Sequence, residues 1–250
     1  MHKFFTPAHM FSDTHAKITG EDVKHIYKVL RVKPGEKVVV NNLESEEFLG
    51  EVEEVNKQEV SIKILEKLDV NNESNLNITL FQGMPKAAKM DLIVQKCVEL
   101  GVSEIIPTIT DRVDVKLKGE FKKLDRLNKI ALEACKQSKR TVIPQVLEPM
   151  DFKGVLEKID ELDLMVIPYE NATGYGIRAM VNSIENKDSI KNVGIMVGPE
   201  GGFEESEIEA LKEKGAHIVT LGPRILRTET AGFTCISLIQ YELGDLGGNI

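Results

Sequence analysis

The stretch NVGIMVGPEGGFEESEIEALKEKGAHIVTLGPRILRTETA (192–231) decides how this chain is read. It opens on a short apolar run and breaks at a glycine loop, GPEGGF (198–203). A stretch rich in acids, EESEIEALKEKG (204–215), then starts with carboxylates and stops at glycine, as a helix dipole favours. A second apolar run, HIVTL (217–221), leads into a second Gly-Pro loop, LGPRILRTETA (221–231). Strand, loop, helix, strand and loop in this order belong to a parallel sheet. In such sheets ligands bind beyond the carboxyl ends of the strands.

The pattern extends backward. ITLFQ (78–82), EIIPTIT (104–110) and DLMVIP (163–168) read as further strands. Helices are expected between them, at 88–101 with Met90, Ile93, Val94 and Cys97 on one face, and at 120–137 with Leu124, Leu127, Ile130, Ala131, Ala134 and Cys135. A last helix is expected from about Thr230 to Leu243. Alternation of this kind predicts an α/β domain whose parallel sheet is covered on both faces. Residues 1–68 differ. VKPGEKVVVNN (32–42), FLGEVEEV (48–55) and EVSIKIL (59–65) read as strands of a small barrel-like sheet. They are interrupted by one helical piece, 21–32, with Val23, Ile26, Tyr27 and Leu30 inward. The polar, aperiodic DVNNESNLN (69–77) reads as a linker. Two domains are expected, 1–70 and 71–250.

Composition excludes several classes. The longest apolar runs are far too short to span a bilayer, and the N-terminus lacks a signal-peptide pattern, which predicts no membrane and a cytoplasmic protein. Cys97, Cys135 and Cys235 show no paired spacing and read as buried thiols. The five histidines form no ligand motif, so no metal is expected. Net charge is −8, yet Arg112 to Arg140 holds ten Lys or Arg against four acids. A local basic face of this kind suits RNA phosphates, although a solvated, salt-bridged helix has the same composition.

The glycine loops carry the chemistry. GPEGGF matches neither GxGxxG nor the phosphate-loop pattern, and Glu200 stands inside it. Clustered carboxylates repel phosphate and tolerate a neutral or cationic ligand. S-adenosylmethionine, a sulfonium without phosphate, therefore fits better than a dinucleotide. In the second loop Arg227 can grip phosphate or carbonyl oxygens, and Glu229 can orient it or accept a proton. Thr228 and Thr230 suit either the site or a helix cap.

GMPKAAKMDLIVQKCVELGV (83–102), DRVDVK (111–116), EACKQSKR (133–140), GPEGGF and LGPRILRTETA together resemble the bacterial 16S ribosomal RNA uridine-N3 methyltransferases, the RsmE family. HIYKVLRVKPGEKV (25–38) resembles that family's RNA-binding module. The resemblance implies a PUA-like barrel followed by a SPOUT-type parallel sheet with a C-terminal trefoil knot, working as a homodimer. It implies S-adenosylmethionine as cofactor, held by Pro168, Glu170, Gly198, Glu200, Gly201, Gly202, Leu221, Gly222, Ile225, Leu226 and Arg227, with Thr230 and Ala231 nearby. Arg227, Glu229 and Glu200 would serve catalysis. Arg31, Lys86, Lys89, Arg112, Lys139 and Arg140 would contact 16S ribosomal RNA in the small subunit. The chain departs from the family's usual pattern at Thr110-Asp111-Arg112, at Lys139 and in the glycine-free turn NNLESE (41–46). Another RNA base, a ribose 2′-hydroxyl, or a non-catalytic role as an RNA-binding assembly factor stay open as alternatives.

Overall fold

A computed structural model describes residues 1–86, 89–114 and 121–248, apart from the Glu21 side chain. Lys116, Lys118 and Glu120 of the basic stretch lie outside the described residues, as do Ala87 and Ala88 of the first glycine-methionine motif. The chain divides into two compact units, Met1–Glu73 with Cys135–Ile143, and Ser74–Ala134 with Pro144–Ile250.

The first unit is built on five strands: β1 (Lys3–Phe5), β2 (His15–Thr19), β3 (Lys37–Asn41), β4 (Glu47–Val55) and β5 (Glu59–Leu68). They pair in the order β1-β3-β4-β5-β2. All pairs are antiparallel except β1 with β3. Register shifts in β4 at Leu49/Gly50 and Val52/Glu54 help the sheet curl. The Thr6 hydroxyl donates to the Lys17 carbonyl at 2.7 Å, bridging the chain after β1 to β2. Alternating residues such as Val38, Val40, Val52, Val60 and Ile62 fill the interior.

The helical piece departs from expectation. α1 (Glu21–Lys24) is one turn long and continues as a π-helical segment, His25–Leu30. The wider turn breaks the 3.6-residue phase. Val23 and Ile26 stay inward and Leu30 packs at the core edge, but Tyr27 turns out to solvent.

In the second unit all strand pairs are parallel. β6 (Asn77–Gly83), β7 (Glu104–Ile109), β8 (Gln145–Val146), β10 (Leu164–Pro168), β11 (Asn192–Val197) and β12 (His217–Val219) run in the order β12-β10-β11-β6-β7-β8, with β9 (Met150–Asp151) also paired to β7. Helices α2 (Lys89–Glu99), α3 (Leu124–Ser138), α4 (Phe152–Lys158), α5 (Ile177–Ser183), α6 (Glu205–Glu213) and α7 (Thr228–Glu242) connect or follow them. Period-two alternation separates the faces. Phe81, Ile106, Met165, Ile167 and Met196 pack with Val155 of α4 and Ile208 and Leu211 of α6. The opposite face of β11 meets α7, which also packs on α2 and α5. The last helix starts two residues before the expected Thr230, because Arg227 takes the extended conformation that precedes the helix. No helix among the described residues is long and apolar enough to cross a membrane.

Candidate active site

Strands β10, β11 and β12 are adjacent and parallel, so the loops that follow them leave the sheet at one edge. These loops are 168–174, 198–203 and 220–227, and they line a cleft with two lobes. The first lobe, about 490 Å³, is walled by Pro168, Tyr169, Glu170, Leu221, Gly222 and Ile225 among others. The second, about 340 Å³, is walled by Lys89, Gly198, Glu200, Gly202, Phe203 and Arg227 among others. Pro168, Glu170, Ile225, Leu226 and Ala231 line both. Each lobe falls in the range of small-molecule sites.

Backbone chemistry explains why these loops are glycine-rich. Gly202 sits at φ +70°, and a Cβ there would lie 2.7 Å from Glu170 Oε1. Only glycine leaves room for that carboxylate beside the loop. Gly83, at the end of β6, lets the chain pass the Pro199 nitrogen, which a Cβ would approach to 2.5 Å. The buried Thr228 hydroxyl then ties the loop to α7. It donates to the Gly198 carbonyl at 2.6 Å and accepts from Gln82 Nε2 at 2.9 Å.

Charged groups form two clusters. Arg112 grips Glu204 with two nitrogens, at 2.8 and 3.1 Å, and donates to the Gly201 carbonyl at 3.1 Å. Gly201 packs on Arg112 in this arrangement and lines neither lobe. Inside the second lobe, Lys89 Nζ lies 2.9 Å from Glu200 Oε1 and 3.4 Å from Glu229 Oε2. The Lys86 amide donates to both Glu200 oxygens at 3.2 Å. Burial opposes ionisation of Glu200, but the Lys89 ammonium and this amide outweigh it and hold the carboxyl below its ordinary value. Glu229 Oε2 is shut off from solvent, and Lys89 at 3.4 Å is its ion-pair partner. Arg227 is exposed at the rim, and its guanidinium has no hydrogen bond or ion pair among the described residues.

Eleven of the thirteen expected cofactor residues thus line the cleft, while Gly201 and Thr230 do not. Sequence reading gave no role to Tyr169, Thr173, Gly174, Thr220 and Arg224 of the first lobe, and it assigned Lys89 of the second to RNA. It also passed over Gln82 as the partner of Thr228. Thr173 and Gly174 directly follow PYENA (168–172), Thr220 directly precedes the second Gly-Pro loop, and Tyr169 and Arg224 lie inside the quoted stretches.

The six residues expected to meet RNA fall in different settings. Lys86, Lys89 and Arg112 belong to the second unit, and Lys86 pairs with Asp114 at 2.5 Å on an exposed surface. Arg31, Lys139 and Arg140 belong to the first unit. Arg31 and Lys139 are exposed, at φ 53° and 62°. Arg140 is buried and donates Nε to Glu73 at 2.9 Å. Among the described residues no group of three His, Cys, Asp or Glu is placed to hold a metal ion.

This geometry meets its relatives at both domains. A family described as "RNA methyltransferase domain" matches residues 72–240, and one described as "RNA methyltransferase PUA domain" matches 18–65. Ribosomal RNA small subunit methyltransferase E of Bacillus subtilis is 37% identical over 238 residues, covering 93% of this chain and 92% of its own. The chain belongs to the ribosomal RNA small subunit methyltransferase E family. The Aquifex aeolicus family member is 32% identical over 88% of this chain and 91% of its own. The crystal structure of the family member from Neisseria gonorrhoeae, bound to S-adenosyl methionine, superposes with a TM-score of 0.85 at 33% identity, covering 98% of this chain and 99% of its own.

Proposed function

We propose that the protein methylates N3 of a uridine in 16S ribosomal RNA of the small subunit, with S-adenosylmethionine as methyl donor. The observation that carries this reading is the two-lobed cleft, whose shared wall holds the Glu170 carboxylate. Glu170 has no hydrogen bond or ion pair among the described residues, and it lines both lobes. A carboxylate between Pro168, Leu221, Ile225 and Leu226 suits a cationic sulfonium with apolar flanks, and the loops offer no phosphate cradle. The residues present therefore fit the cofactor. When bound it supplies an electrophilic methyl group.

The remaining chemistry belongs to the chain. N3 of uridine carries a proton at neutral pH, and that proton must leave as the N3–carbon bond forms. Glu200 is held ionised by Lys89 and the Lys86 amide, and its low proton affinity makes it a poor acceptor. Glu229 meets Lys89 through Oε2 alone, at 3.4 Å, so the proton-accepting role goes to its other oxygen. Arg227, unpaired at the rim, donates to the uracil oxygens and stabilises the charge that grows there. The loops hold the base in line with the methyl carbon.

The reading includes a trefoil knot and a homodimer. In support of the knot, the chain leaving the edge strand β12 runs along the loop after β10. The Thr220 amide donates to the Tyr175 carbonyl at 2.9 Å, and the chain then returns as α7 onto β11. In support of the dimer, α7 exposes Leu238 and Tyr241, with Leu246 just beyond it. Of the three first-unit residues expected at RNA, Arg31 and Lys139 are exposed and keep that role in this reading, while Arg140 is buried against Glu73 and does not.

The test is transfer from labelled cofactor to small subunits lacking the modification, with the nucleoside identified by mass spectrometry. The expected product is 3-methyluridine. Arg227→Ala should lower the rate about 100- to 1,000-fold in a folded protein, the scale of losing one preorganised donor. A 2′-O-methyl nucleoside would overturn the substrate assignment. Cofactor binding without transfer to any RNA would favour a binding factor.

A further inference from the structure

Lys89 is the first described residue of α2. Its position makes sense only through what surrounds it. At this ammonium the start of α2 meets Glu200 from the loop after β11 and Glu229 from the first turn of α7. With two carboxylates about one ammonium, the cluster is net negative and repels phosphate. The lysine side chain is also 27% exposed, against 60% for Lys86, whose pair with Asp114 lies at the surface. These features separate Lys89 from the RNA-phosphate contacts with which the resemblance grouped it.

Glu229 Oε2 is buried, and no other cation is recorded within salt-bridge distance of it among the described residues. Without Lys89 that oxygen would be left as a buried charge and would turn away or take up a proton. Glu200 would lose its strongest partner and keep only backbone amides, those of Lys86 and its own. Glu200 and Lys89 form part of the wall of the second lobe, and Glu229 stands behind Lys89.

We infer that Lys89 is a positioning residue for methyl transfer, which fixes Glu200 in the wall of the second lobe and Glu229 behind it, and does not bind RNA phosphate. This rests on the proposed function, with the target base in the second lobe, against Arg227 and Glu200, and the cofactor in the first. The lobe then admits an uncharged base turned out of its stack, and the phosphates of the same nucleotide stay at the rim.

The experiment compares the full chain with Lys89→Met and Lys89→Arg. It measures single-turnover transfer at saturating subunits, the KM for subunits, and subunit binding across a salt series. Lys89→Met should slow single turnover about 10- to 100-fold, the effect of a misplaced group, with KM and the salt slope unchanged. Lys89→Arg should recover most of the rate. An unchanged single-turnover rate, with raised KM and a salt slope reduced by about one, would overturn the inference in favour of a phosphate contact. Should Lys89→Met fail to fold, Lys89→Gln alone and with Glu229→Gln carries the test. Non-additive losses are expected, and additive ones overturn it. A product other than 3-methyluridine from the wild type overturns the substrate reading alone, because the Lys89 effect is read on whichever nucleoside is methylated.

Discussion

Replacing Thr228 by valine keeps the branched shape of the side chain and removes one hydroxyl. In the wild type that hydroxyl is buried and makes two hydrogen bonds, donating to Gly198 at 2.6 Å and accepting from Gln82 at 2.9 Å. The Gly198 carbonyl would be left without this donor inside the protein, at a cost of about 1–3 kcal/mol. The Gln82 amide keeps its bond to the Gly83 carbonyl at 3.0 Å, so its loss is that of one ordinary hydrogen bond, about 1 kcal/mol. Flipping the amide gives no relief, because it would set Oε1 against that same carbonyl. The sum is roughly 2–4 kcal/mol, localised where the loop after β11 meets α7. The chain has no tryptophan, so urea unfolding is best followed by far-UV circular dichroism. With a slope near 3 kcal/mol/M, the midpoint of the second unit should fall by about 1 M. Single-turnover transfer should slow roughly tenfold, because the Gly198 wall of the second lobe is no longer tied to the helix. Thr228→Ser keeps the hydroxyl and should retain most of both. A Thr228→Val protein as stable as the wild type, with an unchanged transfer rate, would refute the claim that this hydroxyl couples loop and helix.

Two further outcomes follow from buried charge. Arg140→Ala takes the guanidinium from Glu73 and leaves it only the Thr141 and Val142 donors, so the first unit should lose about 1–3 kcal/mol and unfold at lower urea, while an RNA-phosphate role would change the salt slope of binding and leave stability alone. Burial lowers the His217 pKa below its ordinary 6.5, and its Nδ1 meets the Tyr175 hydroxyl at 2.9 Å. The unfolded chain therefore binds the proton more readily than the folded one. The stabilisation is complete above pH 6.5 and is lost as pH falls through the lower, folded value. His217→Gln should flatten that decline in urea melts between about pH 7 and 5, and an identical slope would show that His217 does not titrate this way.

The parallel sheet was legible because its strands are buried on both faces and so read as unbroken apolar runs, LMVIP in β10 and NVGIMV in β11. The short β1 and β2 were not, since three residues, KFF, or a mixed HAKIT carry too little period to show. The π-helical turn was invisible for another reason. A period assumed at 3.6 places Tyr27 inward, and only the widened turn sends it out. At the site, glycine loops announced themselves because backbone conformation is a local property. Partnerships did not, because Lys89 meets Glu200 and Gln82 meets Thr228 across more than a hundred residues of chain. Lys139 and Arg140 state the limit most sharply. A count of charges treats these neighbours alike. The backbone turns through φ 62° at Lys139, leaving that side chain in solvent, and the next one goes to Glu73 beneath the surface. Charge density along a sequence therefore locates a basic segment. Which of its members stay exposed is decided by the turn that ends α3 and by the carboxylate waiting for one of them.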